Sequence, residues 1–270
     1  MFKYLIFIIV FTYSFISFSG QEEHLNKLKN SLLCENCDFS SLDLSKVNLA
    51  HYILTGSNFN DSKLIKSIFQ RANLSNSSFK NTTAINAKFQ GAKLDNVIFN
   101  EGKFTASNFV GASLSESQFF GVDLRGADFQ AVEMLNVTIN ESNFKAVNFT
   151  GMNSQNTKII NTDLENANLS GTTLIAVDFS GSNLKNVKFN GSILNKSNFE
   201  DVTLFGAEFI NSDISNVSFI NVNFQGVVFE NVIICGKRII GKIEAKSFLD
   251  NLVTKESPDR INLLESLACE

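Results

Sequence analysis

Four cysteines, two histidines and a set of evenly spaced carboxylates are the side chains of this 270-residue chain best suited to chemistry. Cys34-x-x-Cys37 has the spacing of a redox-active dithiol, of half a zinc site or of a local disulfide. The second close pair that a four-cysteine zinc site needs is missing, because Cys235 and Cys269 stand far along the chain. Those two could instead bridge to each other. His24 and His51 are the only histidines, and no Ser/His/Asp arrangement can be built on them with any specificity. Asp61, Glu101, Glu141 and Asp201 recur at multiples of twenty residues. Hydrolysis by paired carboxylates needs a cleft. Without one, such acids form a solvated face, and that is the reading adopted here: no catalytic residue, no metal and no cofactor.

The elements that hold these residues follow from one pattern. From Phe39, every fifth residue is a core candidate: Phe39, Leu44, Leu49, Leu54, Phe59 and onward to Phe229, Ile234 and Ile239. Of these 41 positions, 39 are Leu, Phe, Ile or Met, and the exceptions are Ala84 and Ser154. Neither a helix nor a simple strand has a period of five, so this is a repeat architecture. Two residues before each centre sits a small or β-branched side chain, such as Ala72, Val137 or Ala167. The residue between is mostly polar, as in Asp38, Asn73 and Asp128. Two residues after the centre, Gly and Asn dominate, and these tolerate the positive φ of a tight corner. Each unit is therefore inward, outward, inward, then a turn. The register never slips, so no loop is inserted.

Ala72-Asn73-Leu74, Ala127-Asp128-Phe129 and Ala167-Asn168-Leu169 carry a family signature. The chain resembles the pentapeptide-repeat family, whose unit is Ala-(Asp/Asn)-Leu-x-x, over about Cys37 to Cys235. Cys37-Asp38-Phe39 also resembles the start of the first coil in many members. The resemblance implies an all-β solenoid: a right-handed, four-sided parallel β-helix with four units per coil. It implies about ten coils and a rod of roughly 48 Å at the usual strand spacing. Sorting the centres by twenty gives partial independent support. The Phe39 column has Phe at eight of eleven positions, the Leu49 column at eight of ten, the Leu44 column at three of ten and the Leu54 column at none. Phe thus lines two opposite faces. Large Met152 stands near small Ser154, which reads as compensation.

Outside the repeat, the first twenty residues read as a signal peptide. Lys3 is followed by an apolar run from Tyr4 to Phe18, then by Ser19 and Gly20, then by polar Gln21, Glu22 and Glu23. A retained anchor is the competing reading, although fifteen residues containing Thr12 and Ser14 are short for a span. Secreted or periplasmic location follows, with an oxidising setting for the cysteines. Residues 21–35 are expected to cap the N-terminal end, with a helix over 22–33 presenting Leu25, Leu28, Leu32 and Leu33. The repeat occupies 36–239, and 240–270 are expected to form a helical C-terminal cap. Some relatives pair through that end, so a homodimer through the C-terminal segment is a second reading of it.

A net charge of −4 argues against nucleic acid as a direct ligand. It also argues against the DNA-mimicking, topoisomerase-binding role that some family members have. Outward apolar residues are the remaining candidates for contact. Leu135, Ile175, Ile193 and Ile233 share one side, and Phe120, Ile160 and Ile220 another. A stripe of that kind suggests a docking surface for a protein or envelope partner. The function expected is a non-catalytic exported scaffold, with a host-directed secreted effector as the alternative.

Overall fold

A computed structural model of the chain describes residues 19–238, 242–243 and 269. The expected signal segment up to residue 18 lies outside the described residues. So do the expected C-terminal helices, apart from residues 242–243 and 269.

Each five-residue unit turns one corner of a parallel β-solenoid. Every fifth residue from Asn36 to Gly236 has a positive φ, between about +50° and +74°. Left-handed backbone costs an ordinary L-residue about 1–2 kcal/mol, yet Glu101, Ala131 and Ala146 accept it alongside the glycines and asparagines. At Gly56 the requirement is also steric, because a Cβ there would collide with the Asn36 amide. From Asn36 to Gly191 every corner amide is paired with the coil above: Ser41 N–H donates to Asn60 C=O at 2.9 Å, and the pattern repeats upward.

Each unit pairs in parallel with the unit twenty residues later, so four units make one coil. One column climbs from Leu33↔Ile53 by twenty-residue steps to Asp213↔Ile233. The four faces are named here by their first core residue: Phe39, Leu44, Leu49 and Leu54.

The core is a closed apolar shaft. On the Phe39 face, Phe59 and Phe79 stack with centroids 4.9 Å apart and planes 7° apart. On the opposite Leu49 face, Phe69 and Phe89 stack at 5.1 Å and 2°. Rings of the two faces meet edge-on, as Phe59 and Phe69 do at 5.6 Å. Such pairs add about 0.5–1.5 kcal/mol beyond burial. Ile139, Ile159 and Leu169 interrupt the stacks, which resume at Phe179 and Phe189. Ala84 is also compensated. Phe104, next in its column, reaches to within 6.2 Å of the Phe79 ring and 5.2 Å of Phe99. Gly102 leaves it room, since a Cβ there would lie 2.6 Å from the Phe104 ring. Inward hydroxyls join the ladder: Ser77 Oγ donates to Leu54 C=O at 3.1 Å and accepts Ser57 N–H at 3.2 Å. Ser154 and Ser212 are exceptions, each fully buried with its Oγ unpartnered.

The ends are closed differently. Helix α1 (Ser19–Asn30) lies against the first coil. Glu22 in its first turn and Lys27 and Lys29 in its last complement the helix dipole. It ends earlier than expected, and Leu32 and Leu33 are not on its apolar face. Strand pairing takes them instead: Leu33 bridges Ile53, and Ile53 N–H donates to Leu32 C=O at 2.8 Å. At the other end, parallel pairing gives way to antiparallel. Ile233–Ile234 folds back on Lys237–Arg238. Cys235 and Gly236 between them have φ of 50° and 74°, the two positive values of a tight type I′ hairpin. Lys242–Ile243 then adds antiparallel to the strand Val228–Glu230. No helix among the described residues is long and apolar enough to cross a membrane.

Candidate functional site

The cysteines are joined in two pairs, one at each end of the rod. Cys34–Cys37 has a Cα–Cα distance of 5.6 Å, and both residues are about 1% exposed. Cys37 takes an inward position, and its N–H donates to Ser57 Oγ of the next coil at 3.3 Å. A dithiol of that burial behind α1 offers little access to a redox partner. Cys235–Cys269 returns residue 269 to the last coils, with a Cα–Cα distance of 5.3 Å. Cys235 N–H donates to Ser215 Oγ at 2.8 Å, and Cys269 N–H donates to Asn216 Oδ1 at 2.7 Å. Among the described residues no group of three or more His, Cys, Asp or Glu is placed to hold a metal.

His51 sits exposed on a corner, with φ 67°. His24 lies between α1 and the first coil, where its Nδ1 accepts Asp38 N–H at 2.9 Å. The four column acids do not converge. Asp61, Glu101, Glu141 and Asp201 all occupy exposed left-handed corners, two or more coils apart. On the coils, the charged groups that do meet lie on the Leu44 face. Lys145 reaches Asp163 and Glu165 of the next coil, each at 3.1 Å, and Lys185 reaches Glu165 from above at 3.5 Å. Arg125 grips Asp123 at 2.8 and 2.7 Å. The Arg125 hydrogen bond holds the Asp123 carboxyl below its usual range, and Lys145 does the same to Glu165. Carboxylates pushed that way stay ionised, which suits ion pairing and not general acid catalysis.

The expected apolar stripes are interrupted. Phe120 is 41% exposed, but Asn100 and Asn140 flank it on the neighbouring coils. Ile160 follows Asn140, and Ile220 lies beside Glu200. On the Leu54 face, Gln155 separates Leu135 from Ile175. Ile193, 45% exposed, is parted from Ile233 by Asp213. Ile233 itself pairs with Arg238 in the terminal hairpin. The structure adds exposed apolar residues that the stripe reading omitted: Ile98 on the strand next to Phe120, and Phe205 at 48%. Phe205 lies outside the core series, so its position in the repeat could have flagged it. It lines a shallow groove of about 360 Å³ with Asp201, Thr203, Asn221, Asn223 and Gln225.

The outward Asp or Asn of each unit has a role the pattern alone did not disclose. Its Oδ1 accepts the N–H two residues on, as Asp38 does from Ser40 at 3.0 Å and Asn168 from Ser170 at 3.1 Å. Many also link coils: Asn58 Nδ2 donates to Asp38 and Asn183 Nδ2 to Asp163, both at 3.0 Å. The side chain completes the turn that the left-handed corner begins.

Two family models match the repeat. A family model described as a pentapeptide repeat region matches residues 52–129 and 122–199. Another, pentapeptide repeats (8 copies), matches 182–219 and 197–236. No curated protein matches the chain. Similar solved structures include QnrB1, a plasmid-mediated fluoroquinolone resistance protein, with 20% identity over 72% of this chain and 89% of that one at a TM-score of 0.39. They also include HetL, a pentapeptide repeat protein involved in heterocyst differentiation regulation in the cyanobacterium Nostoc, with 16% identity, 74% and 88% coverage and a TM-score of 0.24. A pentapeptide repeat protein of the Arabidopsis thaliana thylakoid lumen shares 28% identity over 37% of this chain and 67% of its own, with a TM-score of 0.24.

Proposed function

Since the chain belongs to the pentapeptide-repeat family, we propose that it is a non-catalytic exported scaffold presenting its flat faces to a protein or envelope partner. One observation carries this reading: the corners follow one another every five residues from Asn36 to Gly236 without an inserted loop. Catalytic sites are usually built on such loops. Here the inward positions are consumed by packing, and the outward ones lie on exposed, nearly planar faces. The two disulfides support export, because such bonds persist in oxidising compartments. The apolar, singly charged leader supports it as well.

Photo-crosslinkers placed at Phe120, Ile175 and Ile193 in living cells test the scaffold. One protein captured repeatedly from the Phe39 face (Phe120) or from the Leu54 face (Ile175, Ile193), and not from both, is the expected result. Capture of nothing specific from any face sinks the partner reading. Capture of the chain by itself converts it to a homodimer. Fractionation of the same cells with the protein in the cytoplasm sinks the export reading.

A further inference from the structure

The attachment of α1 to the first coil contains a proton-sensitive contact. In a solenoid the first coil has no neighbour below, so its downward N–H and C=O groups are an open edge. On the Phe39 face α1 supplies side chains in place of that missing coil. Gln21 Nε2 donates to Ser40 C=O at 2.8 Å, where a lower coil would offer a backbone N–H. His24 Nδ1 accepts Asp38 N–H at 2.9 Å, where a lower coil would offer a carbonyl. The His24 ring also meets Phe39 edge-on at 6.5 Å. Farther along, buried Leu28 gives its C=O to Tyr52 Oη–H at 3.1 Å.

Only one of these contacts depends on a group that changes charge in the physiological range. Neutral imidazole has one acceptor nitrogen, whereas imidazolium has none and presents N–H groups on both sides. Whichever ring nitrogen faces it, protonation sets donor against donor at Asp38 N–H. The other charged groups are Glu22, Glu23, Lys27 and Lys29 on α1, and Glu35 and Asp38 within residues 31–42. Glu23 and Lys27 pair with each other at 3.4 Å. The Asp38 carboxylate accepts Ser40 N–H and Asn58 Nδ2, both at Oδ1 and each at 3.0 Å, which holds it to its own turn and to the next coil.

We propose that His24 makes the N-terminal cap pH-dependent: proton uptake at its ring loosens α1 from the first coil and exposes the edge N–H of Asp38 and the Phe39 ring. The release is local. Pairing of Leu32 and Leu33 with Ile53 and the Cys34–Cys37 bridge tie the chain to the coil just beyond the helix, so α1 swings about Ser31 while the coils stay closed. The lost acceptor shifts the docking equilibrium about tenfold.

Amide hydrogen exchange of the full chain between about pH 7.5 and 5, corrected for its intrinsic pH dependence, tests this. Protection over residues 24–30 and at Asp38 is expected to fall about tenfold across that range, while the Phe columns stay protected. His51→Gln should leave the transition intact, since His51 is exposed on a corner. His24→Gln, whose Oε1 accepts without titrating, should hold the cap closed throughout. His24→Ala should leave it open throughout. The proposal is overturned if wild-type protection does not vary with pH, if His24→Gln shows the same fall, or if His24→Ala is as protected as wild type at pH 7.5.

Discussion

The two ends of the rod meet one demand by opposite means. Each must cover an open β-edge and an exposed core. Among the described residues the C-terminal end does it with backbone, reversing direction at Cys235–Gly236 and laying Lys242–Ile243 along the strand Val228–Glu230. The N-terminal end does it with side chains projected from a helix, and only in part. Leu42 and Val47, inward residues of the first coil, remain half-buried there. Backbone pairing is indifferent to side-chain charge, while a cap of side chains inherits their chemistry. Among the described residues, sensitivity to protonation therefore concentrates at the N-terminal end.

The disulfides provide the largest test of that contrast. The C-terminal bridge spans 34 residues of sequence and the N-terminal bridge 3. Loop-closure entropy assigns them about 4 and about 2 kcal/mol. Cys235→Ser with Cys269→Ser should thus open the C-terminal end about 2 kcal/mol more than Cys34→Ser with Cys37→Ser opens the other, read from urea dependence of amide exchange at each end. Equal losses would break the comparison. A smaller effect isolates the hairpin. Gly236→Val puts a β-branched residue at φ 74° and should cost about 2 kcal/mol, confined to residues 233–243. No change there would mean the reversal does not rest on that turn. Smallest is Tyr52→Phe, which removes one hydrogen bond to Leu28 C=O. It should loosen α1 by about 1 kcal/mol and leave the C-terminal end untouched; an effect at both ends would show that the caps are coupled through the shaft.

The coils were legible because one residue type at one spacing reports one environment. Phe59, Phe79 and Phe99 could hardly recur by twenties without stacking. The outward Asp and Asn were legible as polar but not as turn partners, since a spacing does not show which amide an oxygen meets. The hairpin was hidden by coincidence. Cys235-Gly236 falls in register with the repeat, and only the second positive φ, at Cys235, distinguishes a reversal from another corner. Leu32 and Leu33 fit a helix by period but were claimed by strand pairing with Ile53. The apolar outward residues were legible one at a time. Their separation by Asn140, Gln155 and Asp213 appears only once successive coils are laid side by side.

Twenty residues to a coil makes this molecule a graduated ruler. Removing or duplicating one full coil would change its length by about 4.8 Å and leave every face pointing where it did. Removing a single unit would keep each inward residue inward but rotate everything beyond the cut by a quarter turn, carrying the Phe columns and the outward residues onto adjacent faces. Reach and facing direction can thus vary independently, in steps of twenty residues and of five, without a new core having to be invented for either.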